Sequence, residues 1–255
     1  MRVVIKLGGT LLDDAGSRAR LAREVTTAAA RESVVVVHGG GKQMTRFLAE
    51  RGVESRFVNG LRVTTPEVLD AVVKVFAGSV NAELVMALRA AGANPVGLSG
   101  LSAGLVDAVQ LDPALGHVGR PAQSNGRLLE ILVREKYLPV VACVAGDANG
   151  AIFNVNGDQM AVACAAGFHA ERLVFLTDVD GVRDASGHTA PRLTVAEAQA
   201  LIRAGVATGG MQAKLESAMA ALSQGLEEVL IAPGAVPGIV EQALGDSAAG
   251  TRMVP

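Results

Sequence analysis

Val34–Val37 followed by His38-Gly39-Gly40-Gly41 constrains this chain more than any other stretch. Four consecutive β-branched residues are too few for a helix and predict a short strand buried on both faces. The three glycines after it open backbone conformations at positive φ and let another group come close to the main chain. From Lys42 to Arg51, Met44, Phe47 and Leu48 share one helical face. A buried strand therefore delivers bare backbone N–H groups to a helix start, where free amides and the helix dipole both favour an anion. The plainer alternative is a tight strand-to-helix turn without a ligand, and three successive glycines after a buried strand favour the site.

At 255 residues the chain can form one large domain, or two lobes sharing a continuous core. Half of it is hydrophobic but only 3% is aromatic, so that core has to be built from Ala, Val and Leu. A net charge of −2 without a Lys/Arg-rich run argues against a nucleic-acid partner. Met1–Lys6 enters a strand pattern with no signal-peptide apolar segment, and no apolar run approaches a membrane span. Cys143 and Cys164 fit neither a disulfide framework nor metal-ligand spacing and are expected as small core residues. These features predict a soluble, cytoplasmic protein with no membrane partner.

Short apolar runs alternate with helical stretches along the chain. The strand candidates are Val3–Leu7, Val34–Val37, Asn94–Leu98, Leu138–Cys143, Leu173–Leu176 and Val229–Ile231. Arg18–Ala30, Pro66–Ala91, Arg127–Glu135 and Gln159–Ala166 carry helical periodicity between them. The alternation predicts an α/β protein with a largely parallel sheet covered on both faces, whose ligands sit beyond the carboxyl ends of the strands. Thr65-Pro66-Glu67 and Thr194-Val195-Ala196-Glu197 read as helix starts, the second a capping box. The helix after Thr65 carries more apolar surface than one sheet face needs, which points to a dimer contact. Residues 101–126 are polar, broken by Pro113 and Pro121, and read as hairpins or loops.

Several stretches could carry chemistry. Lys6 sits in an apolar run just before Gly8-Gly9; it is either an edge-strand lysine facing solvent or an ammonium beside open amides, suited to phosphate. Gly209-Gly210-Met211-Gln212-Ala213-Lys214 repeats that theme, and neither stretch is a Walker A loop or a dinucleotide fingerprint. Asp158 precedes a helix and, taken alone, is more often its cap, while Asn154 and Asn156 alternate around Val155 so that both amides face one pocket. Thr177-Asp178-Val179-Asp180-Gly181-Val182 is either a polar loop or a nucleotide contact. Arg62 is the best fixed cation for a substrate carboxylate, against the commoner role of a surface arginine. His38, His117, His169 and His188 show no catalytic or ligand spacing.

Taken in order, Ile5–Gly9, His38–Gly41, Asn59–Thr64, Asn154–Asp158, Thr177–Gly181 and Gly209–Lys214 resemble the amino-acid kinase family, and the resemblance runs from Val3 to about Thr251. Leu115-Gly116-His117-Val118-Gly119 and Tyr137–Val141 strengthen the likeness to the branch acting on N-acetyl-L-glutamate. The resemblance implies a three-layer α/β/α sandwich with two lobes, 1–172 for the acyl-amino acid and dimerisation and 173–255 for ATP. It implies transfer of the γ-phosphoryl of MgATP to the acceptor's side-chain carboxylate, the second step of arginine biosynthesis. Gly40, Gly41, Arg62, Asn154 and Asn156 would hold N-acetyl-L-glutamate. Lys6 and Lys214 would stabilise the transition state and Asp158 would orient them. Gly8, Gly9, Thr177–Val182 (Thr177, Asp178, Val179, Asp180, Gly181, Val182) and Val206, Ala207 and Thr208 would contact the nucleotide. No protein metal ligand is expected, since Mg²⁺ is held mainly by the phosphates.

Gly97–Gly104 lacks an Asp-Gly pair many members carry, and Gly157 stands where alanine is common. The chain begins at its first strand, without the amino-terminal helix of arginine-inhibited relatives, so a homodimer with little arginine feedback is expected. Two rival readings stand beside this one. The first is a kinase of carrier-linked aminoadipate or glutamate, which would need a basic rim that the sequence around Arg62 does not show. The second is a non-catalytic amino-acid or nucleotide sensor, which would have no need of both Lys6 and Lys214.

Overall fold

Strands that are apolar on both faces need helices on either side of their sheet, and the computed structural model, which describes residues 1–58, 60–245 and 249–255, arranges them so. In chain order the elements are β1 (Arg2–Leu7), α1 (Gly9–Asp13), α2 (Ala15–Ala29), β2 (Ser33–His38), α3 (Gly41–Ala49) and the hairpin strands β3 (Phe57–Val58) and β4 (Leu61–Arg62). Next come α4 (Pro66–Val72), a π-helical segment Val73–Val80, α5 (Asn81–Ala90), β5 (Pro95–Ser99), β6 (Val106–Gln110), β7 (Val118–Ser124), α6 (Arg127–Arg134), β8 (Leu138–Ala142), β9 (Val144–Gly146) and β10 (Ile152–Val155). The remainder is α7 (Gly157–Gly167), β11 (Arg172–Thr177), β12 (Arg192–Thr194), α8 (Val195–Arg203), α9 (Gly209–Ser223), β13 (Glu228–Pro233), α10 (Ile239–Leu244) and β14 (Thr251–Val254).

Eight strands form one sheet in the order β12-β14-β13-β11-β1-β2-β8-β5. Every neighbouring pair is parallel except β13 with β14. β1 sits centrally with Lys6 opposite Val37 on β2 and Phe175 on β11. Helices α2, α5 and α10 pack together, as do α7 and α9, giving the three-layer α/β/α fold expected from the alternation. The six anticipated strands are all present, and β12 and β14 add an edge that three- and four-residue runs did not announce. The polar excursion after residue 101 forms β6 and β7, which pair antiparallel and close with β9 and β10 into a small four-stranded unit.

Both anticipated helix starts are built as read. Thr65 Oγ1 accepts from Val68 N at 3.3 Å with Pro66 behind it. Thr194 and Glu197 form a reciprocal capping box. One expectation is corrected by the helix from Pro66 to Ala90. Its 25 residues reach a mean hydropathy of 1.6 over 18 residues, enough by length and composition to cross a membrane. It is instead a core helix: Val68, Val72, Val75, Phe76, Leu84 and Leu88 are buried, and α5 packs on β5, β8 and α2. Its π-helical middle was not foreseen, because a one-residue widening of the turn leaves the apolar spacing almost intact.

Candidate active site

The carboxyl ends of β1, β2 and β11 open onto one cleft of about 710 Å³. Lys6, Gly8, Lys42, Arg46, Arg62 and Asp178 are among its lining residues. Its floor is where two glycine turns touch. Gly8 N donates to Leu176 O at 2.9 Å, and a Cβ on Gly9 would stand 2.8 Å from Gly41 N. Gly40 lies against the Phe76 ring and Val80, which a Cβ would meet at 3.0 and 3.1 Å. A side chain at Gly9 would therefore separate the loops and one at Gly40 would strike Phe76 and Val80, whereas Gly39 and Gly41 have open space around a Cβ. The positive φ expected of the three glycines is not adopted, so close approach at Gly40, not a left-handed turn, is what the structure uses.

Beside the cleft, Asp158 lies between two lysines. Lys214 Nζ donates to Oδ2 at 2.7 Å, and Lys6 Nζ pairs with Oδ1 at 2.8 Å, off the axis of a good hydrogen bond. The three side chains are only 14%, 11% and 11% exposed for Lys6, Asp158 and Lys214. Burial opposes charge on Asp158, yet the two ammonium groups prevail and hold its carboxyl down at about 2. Burial likewise opposes charge on Lys6, and Asp158 more than offsets it, so its pKa is raised. For Lys214 burial prevails, helped by repulsion from Lys6, and its pKa is lowered. One carboxylate cannot fully neutralise two buried ammonium groups, so the cluster keeps a net positive charge next to an anion-sized cleft.

Asp158 is free for this because it is not the helix cap, correcting the role favoured for it when taken alone. Asn156 caps α7 instead, its Oδ1 accepting from Asp158 N at 2.8 Å and Gln159 N at 3.3 Å. That engages the oxygen of the amide expected to face substrate, and Asn156 lines a second cleft of about 500 Å³ between α7 and α9. Lys214 sits in the second turn of α9, which opens at Gly209 with φ +54°. Its Nζ stands 5.1 Å from the Phe175 ring centroid.

Arg62 is 9% exposed, and burial lowers its pKa. Its guanidinium donates to Ser55 Oγ, to Thr45 Oγ1 at 2.8 Å and, more weakly, to Gly41 O at 3.4 Å, and stacks on Phe57 at 4.6 Å. Asn154 acts at one remove: its Nδ2 donates to Thr64 Oγ1 at 3.0 Å, and Thr64 Oγ1 donates to Arg62 O at 2.8 Å. Thr64 is also bonded to the Leu115–His117 turn through its N and O, at 2.9 and 2.7 Å. Gly116, at φ +68°, is needed there because a Cβ would meet Thr64 O at 2.3 Å. Asn59, in the same motif, lies outside the described residues. Ser55, Thr45 and Phe57 were missed, since a hydroxyl or an exposed ring carries no spacing signal until Arg62 folds onto it.

Among the nucleotide candidates, Gly8, Gly9, Thr177 and Asp178 line the cleft. Val179, Asp180 and Val206 are exposed, whereas Val182 and Ala207 are buried, so only their backbones are available. Val182 N already donates to Thr251 Oγ1 at 2.8 Å. Thr208 precedes α9 without a side-chain cap, leaving amides at that helix start. Cys143 and Cys164 are buried free thiols, as expected.

The chain resembles proteins of known kind along its whole length. It is 60% identical to the acetylglutamate kinase of Solibacter usitatus (strain Ellin6076) over 255 residues, all of this chain and 99% of the relative. It is 40% identical to that of Jannaschia sp. (strain CCS1), over 93% of this chain and 84% of the relative. Among solved structures, the N-acetylglutamate synthase of Neisseria gonorrhoeae complexed with coenzyme A and N-acetyl-glutamate superposes with a TM-score of 0.88 at 26% identity. That alignment covers 100% of this chain and 59% of the synthase chain. The model of the amino acid kinase family matches residues 1–233. Two glycine turns in contact, a buried lysine–aspartate–lysine cluster and this breadth of match lead to one conclusion: the chain belongs to the amino acid kinase family.

Proposed function

We propose that this protein transfers the γ-phosphoryl group of ATP to the side-chain carboxylate of N-acetyl-L-glutamate, the acetylglutamate kinase reaction of arginine biosynthesis. The products are an acyl phosphate and ADP. The observation that carries the reading is the cationic cleft: Lys6 on its wall, coupled through Asp158 to Lys214, and Arg62 opposite. A glutamate side chain is ionised at neutral pH, so the nucleophile needs no base. The difficulty is bringing it against a polyanion. Lys6 and Lys214 neutralise charge that develops on the transferring group, and their pairing with Asp158 fixes the ammonium positions in advance. Gly8, Gly9 and Gly41 line the same space, while Arg62 takes the acceptor's α-carboxylate and Asn154 steadies Arg62.

The same reading gives residues 1–172 the acceptor and residues 173–255 the nucleotide, with Thr177–Val182 and Val206–Thr208 contacting ATP. Among the described residues no group of three or more His, Cys, Asp or Glu side chains stands together to hold a metal. Mg²⁺ would act as a partner of the nucleotide phosphates and screen their charge, with the Asp178 carboxylate on the cleft wall. A cytoplasmic homodimer belongs to this proposal. Met86, 57% exposed on the long helix beside exposed Ala77 and Ala82, supports a subunit contact, which sedimentation tests.

The test is ATP-dependent acyl-phosphate formation, trapped with hydroxylamine, on N-acetyl-L-glutamate beside glutamate, aspartate and N-acetylaspartate. Hydroxamate from N-acetyl-L-glutamate alone, lost in Lys214→Ala, supports the proposal. One observation favours a second reading: exposed Lys42, with Arg46 paired to Asp13 at 3.0 Å beside it, adds positive charge to the cleft near Arg62, a rim on which an acidic carrier bearing the acceptor would dock. Silence on every free acceptor from folded protein that binds ATP points to that carrier-linked substrate or to the non-catalytic sensor.

A further inference from the structure

His38 opens the glycine loop and is fully buried, yet nothing in the reaction uses its imidazole. Its hydrogen bonds fix its chemical state. Nδ1 lies 2.9 Å from Gly39 O, which can only accept, so Nδ1 carries the proton. Nε2 lies 2.9 Å from Asn81 Nδ2, which can only donate, so Nε2 is the bare nitrogen. The second Nδ2 hydrogen of Asn81 reaches Val140 O at 3.0 Å. Both donors of the amide and both nitrogens of the ring are thereby assigned, and only the neutral tautomer satisfies them. Burial agrees, pushing the imidazole down to about 4.

This polar pair sits in an otherwise apolar core, where it contributes less than packed hydrocarbon of equal volume. The fold makes room for it. A Cβ at Gly97 on β5 would stand 2.2 Å from Asn81 Oδ1, so glycine is required there. Asn81 follows directly on the π-helical segment Val73–Val80, whose Phe76 and Val80 press against Gly40. Cys143 Sγ donates to His38 O at 2.8 Å from the end of β8. Asn81 of α5 and Cys143 at the end of β8 therefore both hold the residue before Gly39, Phe76 and Val80 press on the next residue but one, and π-helical widening of this kind is frequent at functional sites.

We propose that His38 and Asn81 are a positioning pair: the ring clamps Gly39 O, the amide anchors the ring to β8, and together they set the backbone that carries Gly41 to the cleft wall. Neither side chain touches the reactants. The inference rests on the proposed reading of that cleft for its kinetic consequence, though not for its structural one.

The test compares Asn81→Ala and His38→Gln with Leu88→Ala, a buried truncation in the last turns of α5. Asn81→Ala raises the KM for N-acetyl-L-glutamate by about tenfold to a hundredfold, the cost of a small misplacement of binding groups, while the KM for ATP stays within about threefold. His38→Gln, whose amide can still accept from Asn81, recovers most of the acceptor KM. Amide hydrogen exchange over residues 39–44 accelerates in Asn81→Ala more than in Leu88→Ala at matched stability. An acceptor KM unchanged in Asn81→Ala, or exchange no faster than in Leu88→Ala, overturns the positioning role. Faster loop exchange in protein that turns over no free acceptor leaves the pair in place and counts instead against N-acetyl-L-glutamate as the substrate.

Discussion

Asp158 shows how one side chain can be structural and functional at once. It neutralises part of two buried ammonium charges, and removing one partner from such a cluster leaves the others uncompensated. Asp158→Asn should therefore cost about 3–5 kcal/mol of stability, measured by urea denaturation, and reduce turnover together with it. Lys214→Ala should behave differently. It leaves Asp158 paired with Lys6, so the fold survives, while turnover falls on the order of a hundredfold or more. A Lys214→Ala protein with near-normal kcat would remove that lysine from the mechanism. Arg62→Ala is expected to raise the acceptor KM more than it lowers kcat, because its contact is made in ground and transition states alike; saturation kinetics decide it. Gly157 sits where a Cβ would come 3.2 Å from Lys6 Cε, so the residue before Asp158 bears directly on where that lysine rests.

At the level of elements, the site depends on two strand-to-helix turns approaching more closely than side chains permit. Gly9→Ala would place a methyl 2.8 Å from Gly41 N, against backbone that cannot swing aside. The expected result is a loss of turnover out of proportion to any change in far-UV circular dichroism. The contrasting case is the capping box at α8, where the Thr194 hydroxyl bonds Glu197 of the helix it caps and does not line the cleft. Thr194→Ala should cost about 1 kcal/mol by denaturation and leave kinetics unchanged. Together the two variants separate elements that hold the fold from elements that hold the site.

For the molecule as a whole, His38 links pH to stability. Its pKa is about 4 when folded and 6.5 ordinarily. Between those values the unfolded chain binds a proton that the folded chain refuses, so stability present above pH 6.5 declines as the pH falls toward 4. The decline from pH 7 to pH 5 is about 2 kcal/mol from this residue. Asp158, lowered from 3.8 to about 2, acts only below that window. Urea midpoints at the two pH values should differ for the natural protein and converge in His38→Gln; equal pH dependence in both would remove the assignment.

The periodic and covalent features were legible in the sequence alone. Val3–Leu7, Val34–Val37 and the runs after them announced a parallel sheet, because strands buried on both faces must be apolar throughout. Thr65 and Thr194 declared helix starts, because caps are local chemistry between neighbours in the chain. Lys6, Arg62, Asp158 and Lys214 could be singled out because charge beside glycine or in an apolar run is costly without a purpose. What the chain could not disclose are relations between segments far apart in it. That Asn156 rather than Asp158 caps α7 depends on where two lysines, 152 and 56 residues away, come to rest. That His38 has a partner depends on Asn81 reaching it across the core, 43 residues on. Neither pairing leaves a period or a spacing. Each is a choice of hydrogen-bond partner made only once the sheet has brought the strand ends together, and that choice belongs to the tertiary structure.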